Sequence, residues 1–142
     1  MKGWRRPAAA VLALVLAALL LAGCRDPGAE KAAAKTVEDA ITALAAKDYT
    51  RAKVDLTGEA LEALDSLAPV LQPMKTETKV SDFKVSSAKA DGQQADVRAQ
   101  WVQEQAVAGY GSIVQAYDVT FHLILLKGQW RIAYAHVLQK EG

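Results

Sequence analysis

The spacing of apolar residues predicts that the chain after residue 35 begins with helices. Within residues 36–47 these positions recur at intervals of three and four, which is typical of a helix with one buried face. They are Val37, Ile41, Leu44 and Ala45. Residues 51–56 follow a polar break and predict a short additional helical turn.

A second clear helix is predicted to begin after Thr57. The Thr57 hydroxyl is suited to cap the first-turn amides, and Leu56 and Leu61 occupy the flanking positions of a hydrophobic staple. The apolar stripe then continues through Leu64, Leu67 and Leu71. Because Pro69 lacks an amide hydrogen and clashes with the preceding turn, we expect the helix to kink there or to end just before it.

Beyond residue 74 the apolar period changes to two, and turn residues divide the rest of the chain into four predicted strands. The first turn is placed at residues 90–92, as a three-residue loop with Gly92 in the left-handed position. This register sets two apolar pairs on one face, Val85 with Val97 and Phe83 with Ala99. A two-residue Asp91-Gly92 loop would instead set Val85 against Arg98, so the longer loop is favoured.

The last hairpin is predicted to turn at Lys127 and Gly128 in a two-residue loop. This register places five pairs on one largely apolar face: Leu125 with Trp130, Leu123 with Ile132, Phe121 with Tyr134, Val119 with His136, and Tyr117 with Leu138. The reverse face carries Asp118, Thr120, His122 and Arg131, mixed with Ile124, Ala133, Ala135 and Val137. Such alternation is typical of an antiparallel sheet that is packed on one side and wetter on the other.

The connection between these two hairpins is also visible in the sequence. Residues 109–111 predict the turn between the second and third strands, and the polar segment 103–105 predicts a strand that projects beyond the core or bulges. Helices followed by a four-stranded antiparallel meander predict a single α+β domain, with two or three N-terminal helices packed on a curved sheet, over residues 36–142.

The first 24 residues carry the most specific pattern in the chain. Basic residues precede an uninterrupted apolar run over residues 8–22, and the run ends in Leu21-Ala22-Gly23-Cys24. This leader resembles the signal peptide and lipobox of bacterial lipoproteins, in which the cysteine is alkylated by diacylglycerol and the leader is removed. The resemblance implies cleavage between Gly23 and Cys24, and a lipid-anchored chain in the cell envelope outside the cytoplasm. A membrane-spanning helix needs about 20 apolar residues, and this run is shorter.

Residues 24–35 are accordingly interpreted as a lipidated tether of polar and alanine-rich composition. Its later part, AEKAAAK, is equally suited to form the first turns of a helix.

Composition and charge restrict the chemistry of the mature chain. Cys24 is the only cysteine, so no second thiol is present for a disulfide, a zinc site or a thiolate nucleophile. Loss of the leader removes three basic residues and changes the formal net charge from +1 to −2. Nucleic acid is therefore not an expected partner. The two histidines are predicted on opposite faces of the sheet, so neither a metal site nor a cofactor is expected.

Several features of the domain resemble the nuclear transport factor 2-like superfamily, whose fold is a cystatin-like roll. They are an N-terminal helix, the segment 45–52 (AAKDYTRA), a second helix, and long strands that end in residues 128–132 (GQWRI). The similarity spans roughly residues 33–138, in particular to small bacterial lipoproteins of unknown function. It implies a strongly curved sheet around a long helix, often with a pocket. Members include isomerases, dehydratases, carriers and interaction domains, so the fold does not select a function.

His136 is the main candidate for chemistry in such a pocket, because the predicted register places it beside Tyr134 and diagonally near Tyr117. The alternative is a histidine at the edge of the core whose hydrogen bonds are satisfied by a backbone carbonyl or a tyrosine hydroxyl. Catalysts of the superfamily commonly pair a carboxylate base with a polarising tyrosine or histidine. Asp82 and Asp96 are predicted on the other face, so acid–base catalysis lacks its carboxylate.

Three further side chains are assigned simpler roles. His122 is interpreted as part of a solvated polar face, with Arg131 as its nearest diagonal neighbour. Trp101 and Trp130 are predicted to anchor the core.

Three functional hypotheses follow. The first is a membrane-anchored envelope lipoprotein whose non-catalytic domain binds a protein partner or a small apolar ligand. The second is a pocket enzyme, isomerase-like or dehydratase-like, that uses His136 with Tyr134 or Tyr117. The third is a dimeric structural element of an envelope assembly, joined through the mixed face that bears Ile124, Ala133, Ala135 and Val137.

Overall fold

The computed structural model describes residues 26–138, which form three helices packed on a four-stranded antiparallel sheet. The helices are α1 (Pro27–Ala45), α2 (Tyr49–Val54) and α3 (Gly58–Leu71). The strands are β1 (Thr76–Asp91), β2 (Gln94–Val107), β3 (Gly111–Leu126) and β4 (Gln129–Val137), and they are adjacent in chain order. The predicted α+β class and the antiparallel meander are confirmed. The leader, Cys24 and residues 139–142 lie outside the described residues.

Helix α1 begins earlier than the apolar pattern indicates. The Asp26 side chain accepts a hydrogen bond from the Gly28 amide at 2.9 Å, and Pro27 occupies the first helical position, where its missing amide costs nothing. Ala33 is fully buried. Residues 27–35, which were assigned to the tether, are therefore helical, and the alternative of a helix in the AEKAAAK segment is the one observed.

The two shorter helices follow the predicted order with altered ends. Asp48 caps α2 by accepting a hydrogen bond from the Arg51 amide at 3.1 Å. Thr57 precedes α3 as predicted, but its hydroxyl makes no capping hydrogen bond. The adjacent Gly58 has a left-handed φ of 54°, so the chain does not enter the helix in the geometry that a threonine cap requires. The helix also passes through Pro69 to Leu71, so of the two effects expected of the proline, a kink there or an end just before it, the early end is not observed.

The β1–β2 hairpin differs from its prediction by the position of the turn. Asp91 pairs with Gln94, so the loop is Gly92-Gln93 and not residues 90–92. Val97 consequently pairs with Ala88 and not with Val85. Two β-bulges in β1, between residues 81 and 84 and between 85 and 87, reverse the alternation of side chains twice. The bulge between residues 85 and 87 sets Val85 opposite Ala99, so the predicted apolar set Val85, Val97, Phe83 and Ala99 still packs in the core.

The β3–β4 hairpin matches its prediction near the turn and departs from it further along. Lys127 and Gly128 both have positive φ, at 50° and 77°, as a tight two-residue hairpin loop requires. The pairs Leu125–Trp130 and Leu123–Ile132 are confirmed.

Beyond Ile132 the register shifts by one residue, because Ala133 is an extra residue in β4. His122 then pairs with Tyr134, and Thr120 pairs with His136. The predicted pairs Phe121–Tyr134, Val119–His136 and Tyr117–Leu138 were therefore wrong. Side chains that follow a bulge change faces, so Tyr134 and His136 lie on the face opposite the one predicted.

The helices cover one face of the sheet, which we call the inner face, and the opposite face is the outer face. Trp101 and Trp130 are buried on the inner face, as predicted. The Trp101 ring stacks against Tyr117 at 5.4 Å between centroids and against Phe121 at 6.1 Å. This aromatic row forms the centre of the core.

The remaining features concern the edges and ends of the sheet. The free edge of β4 is bound by the segment before α3, since the Thr57 amide donates to the Ile132 carbonyl and the Ile132 amide donates to the Asp55 carbonyl, each at 2.8 Å.

The predicted turn near residues 109–111 is observed, and the polar segment 103–105 continues the strand without a bulge against β3. None of the helices within residues 26–138 is long and apolar enough to cross a membrane.

Candidate functional site

A cavity of about 440 Å³ lies between the helices and the inner face of the sheet. One wall is the C-terminal half of α1 and another is α3, while all four strands contribute to the floor. Its large apolar lining residues are Ile41, Leu44, Leu56, Leu64, Leu67, Leu71, Trp101, Phe121 and Ile132. Cavities of this volume with apolar walls are typical of sites for small molecules.

Polar groups gather at one end of this cavity. Thr78 and Gln105 both line it and are cross-strand partners. Gln103, two residues before Gln105 in β2, lines it as well. The Lys47 ammonium, also in the lining, donates a hydrogen bond to the Met74 carbonyl just before β1. This end therefore offers hydroxyl and amide groups together with one cation.

The described residues that line the cavity include no Asp, Glu or His. Carboxylate and imidazole bases are therefore absent from the described lining, and its amide and hydroxyl groups are suited to hydrogen bonding.

The α3 wall is the most loosely packed part of the cavity. Of its residues only Leu64 is buried, while Leu67 and Val70 are 53% and 60% exposed. A helix held by so few buried contacts opens at a lower free energy than the rest of the fold. Helix α3 is thus the wall of the cavity that opens most easily.

The three catalytic candidates from the sequence do not come together. Tyr117 is on the inner face, where it stacks on Trp101 and its hydroxyl donates to the Gln115 side-chain oxygen at 2.8 Å. Tyr134 and His136 are on the outer face because of the extra Ala133. None of the three lines the cavity.

The mixed face predicted to form a dimer contact is also divided by the bulge. Ala133 is buried, and Ala135 lines the cavity. Val137 pairs with the buried Val119 of the inner face, whereas Ile124 keeps its place on the outer face opposite Arg131. The four residues do not form one continuous surface.

The outer face instead carries an aromatic and histidine cluster that the sequence did not reveal. Nδ1 of His122 contacts the Asp96 carboxylate, its cross-strand partner on β2. The Tyr134 ring stacks on His122, and the His136 ring meets His122 edge-on with centroids 5.8 Å apart. The expectation that the two histidines lie on opposite faces was wrong. The Asp96–His122 pairing depends on the β2–β3 register, which the hairpin patterns did not address.

A second polar group on the outer face joins β2 to β3. The Arg98 guanidinium donates two hydrogen bonds to Asp118, from Nε at 2.9 Å and from Nη2 at 2.7 Å, and the Gln100 amide adds a third at 3.2 Å. The hydrogen bond to Asp118, together with its charge, raises the pKa of Arg98. This bidentate pair links β2 to β3 across the outer face.

One carboxylate is buried next to the β4 edge. Burial raises the pKa of Asp55, and the charge of Arg51, whose Nη1 lies 3.8 Å from Oδ2, acts in the opposite direction. Asp55 sits outside the cavity lining, so its charge belongs to the stability of the fold and not to the cavity.

Neither a protein-family model nor a curated protein matches the chain. Solved structures do share its fold. A ketosteroid isomerase-like protein from Erwinia carotovora atroseptica SCRI1043 is similar with a TM-score of 0.65 and 14% identity, over 78% of this chain and 95% of that one. Two nuclear transport factor 2-like proteins of unknown function are similar at 12% identity and TM-scores of 0.54. The one from Shewanella oneidensis MR-1 matches over 72% of this chain and 93% of its own. The one from Pseudomonas putida KT2440 matches over 82% and 92%. The chain therefore has a nuclear transport factor 2-like fold.

Proposed function

We propose that the chain is a lipid-anchored protein of the bacterial cell envelope whose domain binds a small apolar ligand without transforming it. The cavity between α1, α3 and the sheet is the observation that carries the proposal. Its walls are apolar and its polar groups lie at one end, which is the arrangement that a ligand with an apolar body and one polar end requires.

The polar end of the cavity would determine how the proposed ligand is oriented. Gln103, Gln105 and Thr78 present amide and hydroxyl groups, and Lys47 adds a positive charge to the lining. A ligand with an oxygen-bearing or anionic end can exchange hydrogen bonds there while its apolar part contacts Leu64 and Trp101. Affinity then comes mainly from apolar area removed from water.

The anchor rests on the Leu21-Ala22-Gly23-Cys24 pattern. Lipid on Cys24 supplies the membrane attachment, and two or more acyl chains hold a protein there stably. Helix α1 begins at Pro27, so the folded domain follows the lipidated residue after a very short link.

The enzymatic alternative loses its geometric basis. It needs His136 and Tyr134 in the cavity, and both side chains belong to the outer face. With no carboxylate or histidine among the described lining residues, a binding role fits the cavity better than proton transfer does.

The binding proposal is tested with a soluble chain that starts at residue 24 and carries Cys24→Ser. An apolar fluorescent probe, anilinonaphthalene sulfonate, is titrated into this protein, into Ala60→Phe and into Ala63→Phe. Ala60 lines the cavity, whereas Ala63 is exposed on the same helix, so the two variants add the same side chain inside and outside the site.

We expect the parent and Ala63→Phe to bind one probe with the same Kd, and Ala60→Phe to bind at least tenfold more weakly. Equal binding by the two phenylalanine variants, or no uptake by the parent, would contradict the proposal. The anchor is tested separately by mass spectrometry of the full chain, where the parent should carry a lipid adduct on Cys24 and Cys24→Ser must abolish that adduct.

A further inference from the structure

The outer face brings together two imidazoles that come from neighbouring strands. His122 lies on β3 and His136 on β4, diagonally across the ladder, with ring centroids 5.8 Å apart and planes at 86°. Both rings sit at the surface, because His136 is exposed and the His122 side chain retains 27% of its accessible area. A solvated ion can therefore reach them.

The Asp96 contact prepares one of these rings to act as a ligand. A carboxylate at Nδ1 of His122 holds the proton on that nitrogen, which leaves Nε2 as the free acceptor. Metal-bound histidines commonly have this carboxylate partner, since it fixes both the tautomer and the ring orientation. The stacked Tyr134 ring, at 4.3 Å, limits rotation of the same imidazole without occupying its plane.

The spacing of the rings also suits a shared ion. With a metal–nitrogen distance of about 2.1 Å, each ring centroid lies about 3.2 Å from the metal. Two such ligands then place their centroids about 5.2 Å apart at a tetrahedral angle, and about 5.8 Å apart at an angle near 130°. The observed 5.8 Å equals the wider of these two spacings, and rotation of the exposed His136 side chain can direct one of its ring nitrogens at the ion.

We propose that His122 and His136 chelate one divalent transition-metal ion on the outer face, with Asp96 as the positioning residue. Imidazole ligands favour borderline ions, and the general order of affinity places Cu²⁺ above Ni²⁺ and Zn²⁺. No group of three or more His, Cys, Asp or Glu side chains within residues 26–138 is arranged to hold a metal. The site is therefore an open two-histidine chelate whose remaining positions are filled by water. It is independent of the cavity and of the proposed ligand.

The test uses the full chain in detergent with Cys24→Ser, so that no thiol competes. Cu²⁺ alone is titrated by calorimetry, and the bound ion is examined by electron paramagnetic resonance. We expect one site with nitrogen hyperfine structure from two imidazoles. Replacement His136→Ala should weaken Kd at least tenfold and reduce the signal to one imidazole. A chain with both histidines replaced by alanine measures the background of the rest of the molecule.

Two further variants separate positioning from structure. Asp96→Asn should weaken Kd by about 10- to 100-fold while the spectrum at saturating copper still shows two imidazoles. Tyr134→Phe keeps the stacked ring and should bind as the parent does. If His136→Ala binds copper with unchanged Kd, or if the parent binds no more tightly than the double-histidine variant, the proposal is overturned. His136 is exposed, so its replacement leaves the fold intact and the test remains decisive.

Discussion

The ring of Tyr134 lies on the ring of His122, with centroids 4.3 Å apart and planes inclined by 26°. The two residues are cross-strand partners on the outer face, and they meet there because Ala133 adds one residue to β4. Their contact therefore reports directly on the register of the last strand pair.

A double-mutant cycle on Tyr134→Ala and His122→Ala should give a coupling free energy of about 0.5–1.5 kcal/mol, the usual value for a stacked pair beyond its buried area. Urea unfolding of the parent, both single variants and the double variant measures it. Tyr110, which is 89% exposed, provides the control, since Tyr110→Ala should show no coupling to His122→Ala. Strict additivity for Tyr134 and His122 would contradict the observed register.

Trp101 should be the most costly core residue to truncate. It is 6% exposed and packs against Phe83, Tyr117 and Phe121, so Trp101→Ala removes a large side chain that its neighbours cannot replace. We expect a loss of about 3–5 kcal/mol in the free energy of unfolding. Val114→Ala, at a 63% exposed position of β3, should stay within about 0.5 kcal/mol of the parent. Denaturant titration followed by circular dichroism compares the two, and similar losses would refute this account of the core.

Two substitutions in the β3–β4 turn should change the melting temperature in opposite directions. Lys127 holds a φ of 50°, a conformation in which asparagine is less strained than lysine, so Lys127→Asn should raise the melting temperature. At Gly128, where φ is 77°, a methyl group would meet open space, and the cost of Gly128→Ala is therefore backbone strain of about 1 kcal/mol. Calorimetric melting of both variants checks the signs. A stabilising Gly128→Ala would be incompatible with the turn described.

Asp55 should make the free energy of unfolding fall as the pH rises, which is the opposite of the usual effect of a carboxylate. Because burial raises its pKa in the folded state, the folded chain holds this proton more tightly than the unfolded chain does. The resulting contribution to stability is fully present below the unfolded pKa and is lost as the pH rises through the folded pKa. At neutral pH the ionised group therefore weakens the fold.

Asp55→Asn should accordingly be more favourable, relative to the parent, at pH 7 than at pH 3. Urea unfolding at the two pH values measures the difference, and Glu62→Gln on the exposed side of α3 serves as the matched carboxylate-to-amide control. A larger benefit at pH 3 than at pH 7 would show that the attraction of Arg51 outweighs burial.

Much of the architecture follows from the amino-acid pattern, because turn chemistry and periodicity act locally. The Lys127-Gly128 turn alone determined the pairs Leu125–Trp130 and Leu123–Ile132. The change of period near residue 74 located the start of the sheet at Thr76. The same reasoning placed Trp101 and Trp130 in the core.

The candidate sites were harder to predict from the sequence, and the physical reason lies in the strand register. Alanine fits either face of a strand, so nothing in the local pattern marks Ala133 as the extra residue. That single insertion moved His136 and Tyr134 to the outer face and Ala135 to the cavity rim. The Asp96–His122 contact joins strands that are not connected by a tight turn of defined type, so their relative register had no local signal. The cavity depends on how far α3 stands from the sheet, which periodicity does not encode.

Strand β1 is one of the two edge strands of the sheet, and its irregularities make it a poor template for pairing with a strand of another copy. A long regular edge presents free amide and carbonyl groups that another strand can join. Here two bulges interrupt that row, and lysines recur beside it at positions 79, 84 and 89. Charge and a broken ladder together disfavour strand addition. In the lipid-anchored state that we propose, many copies would share one membrane surface, where an edge that resists strand pairing would keep neighbouring domains separate.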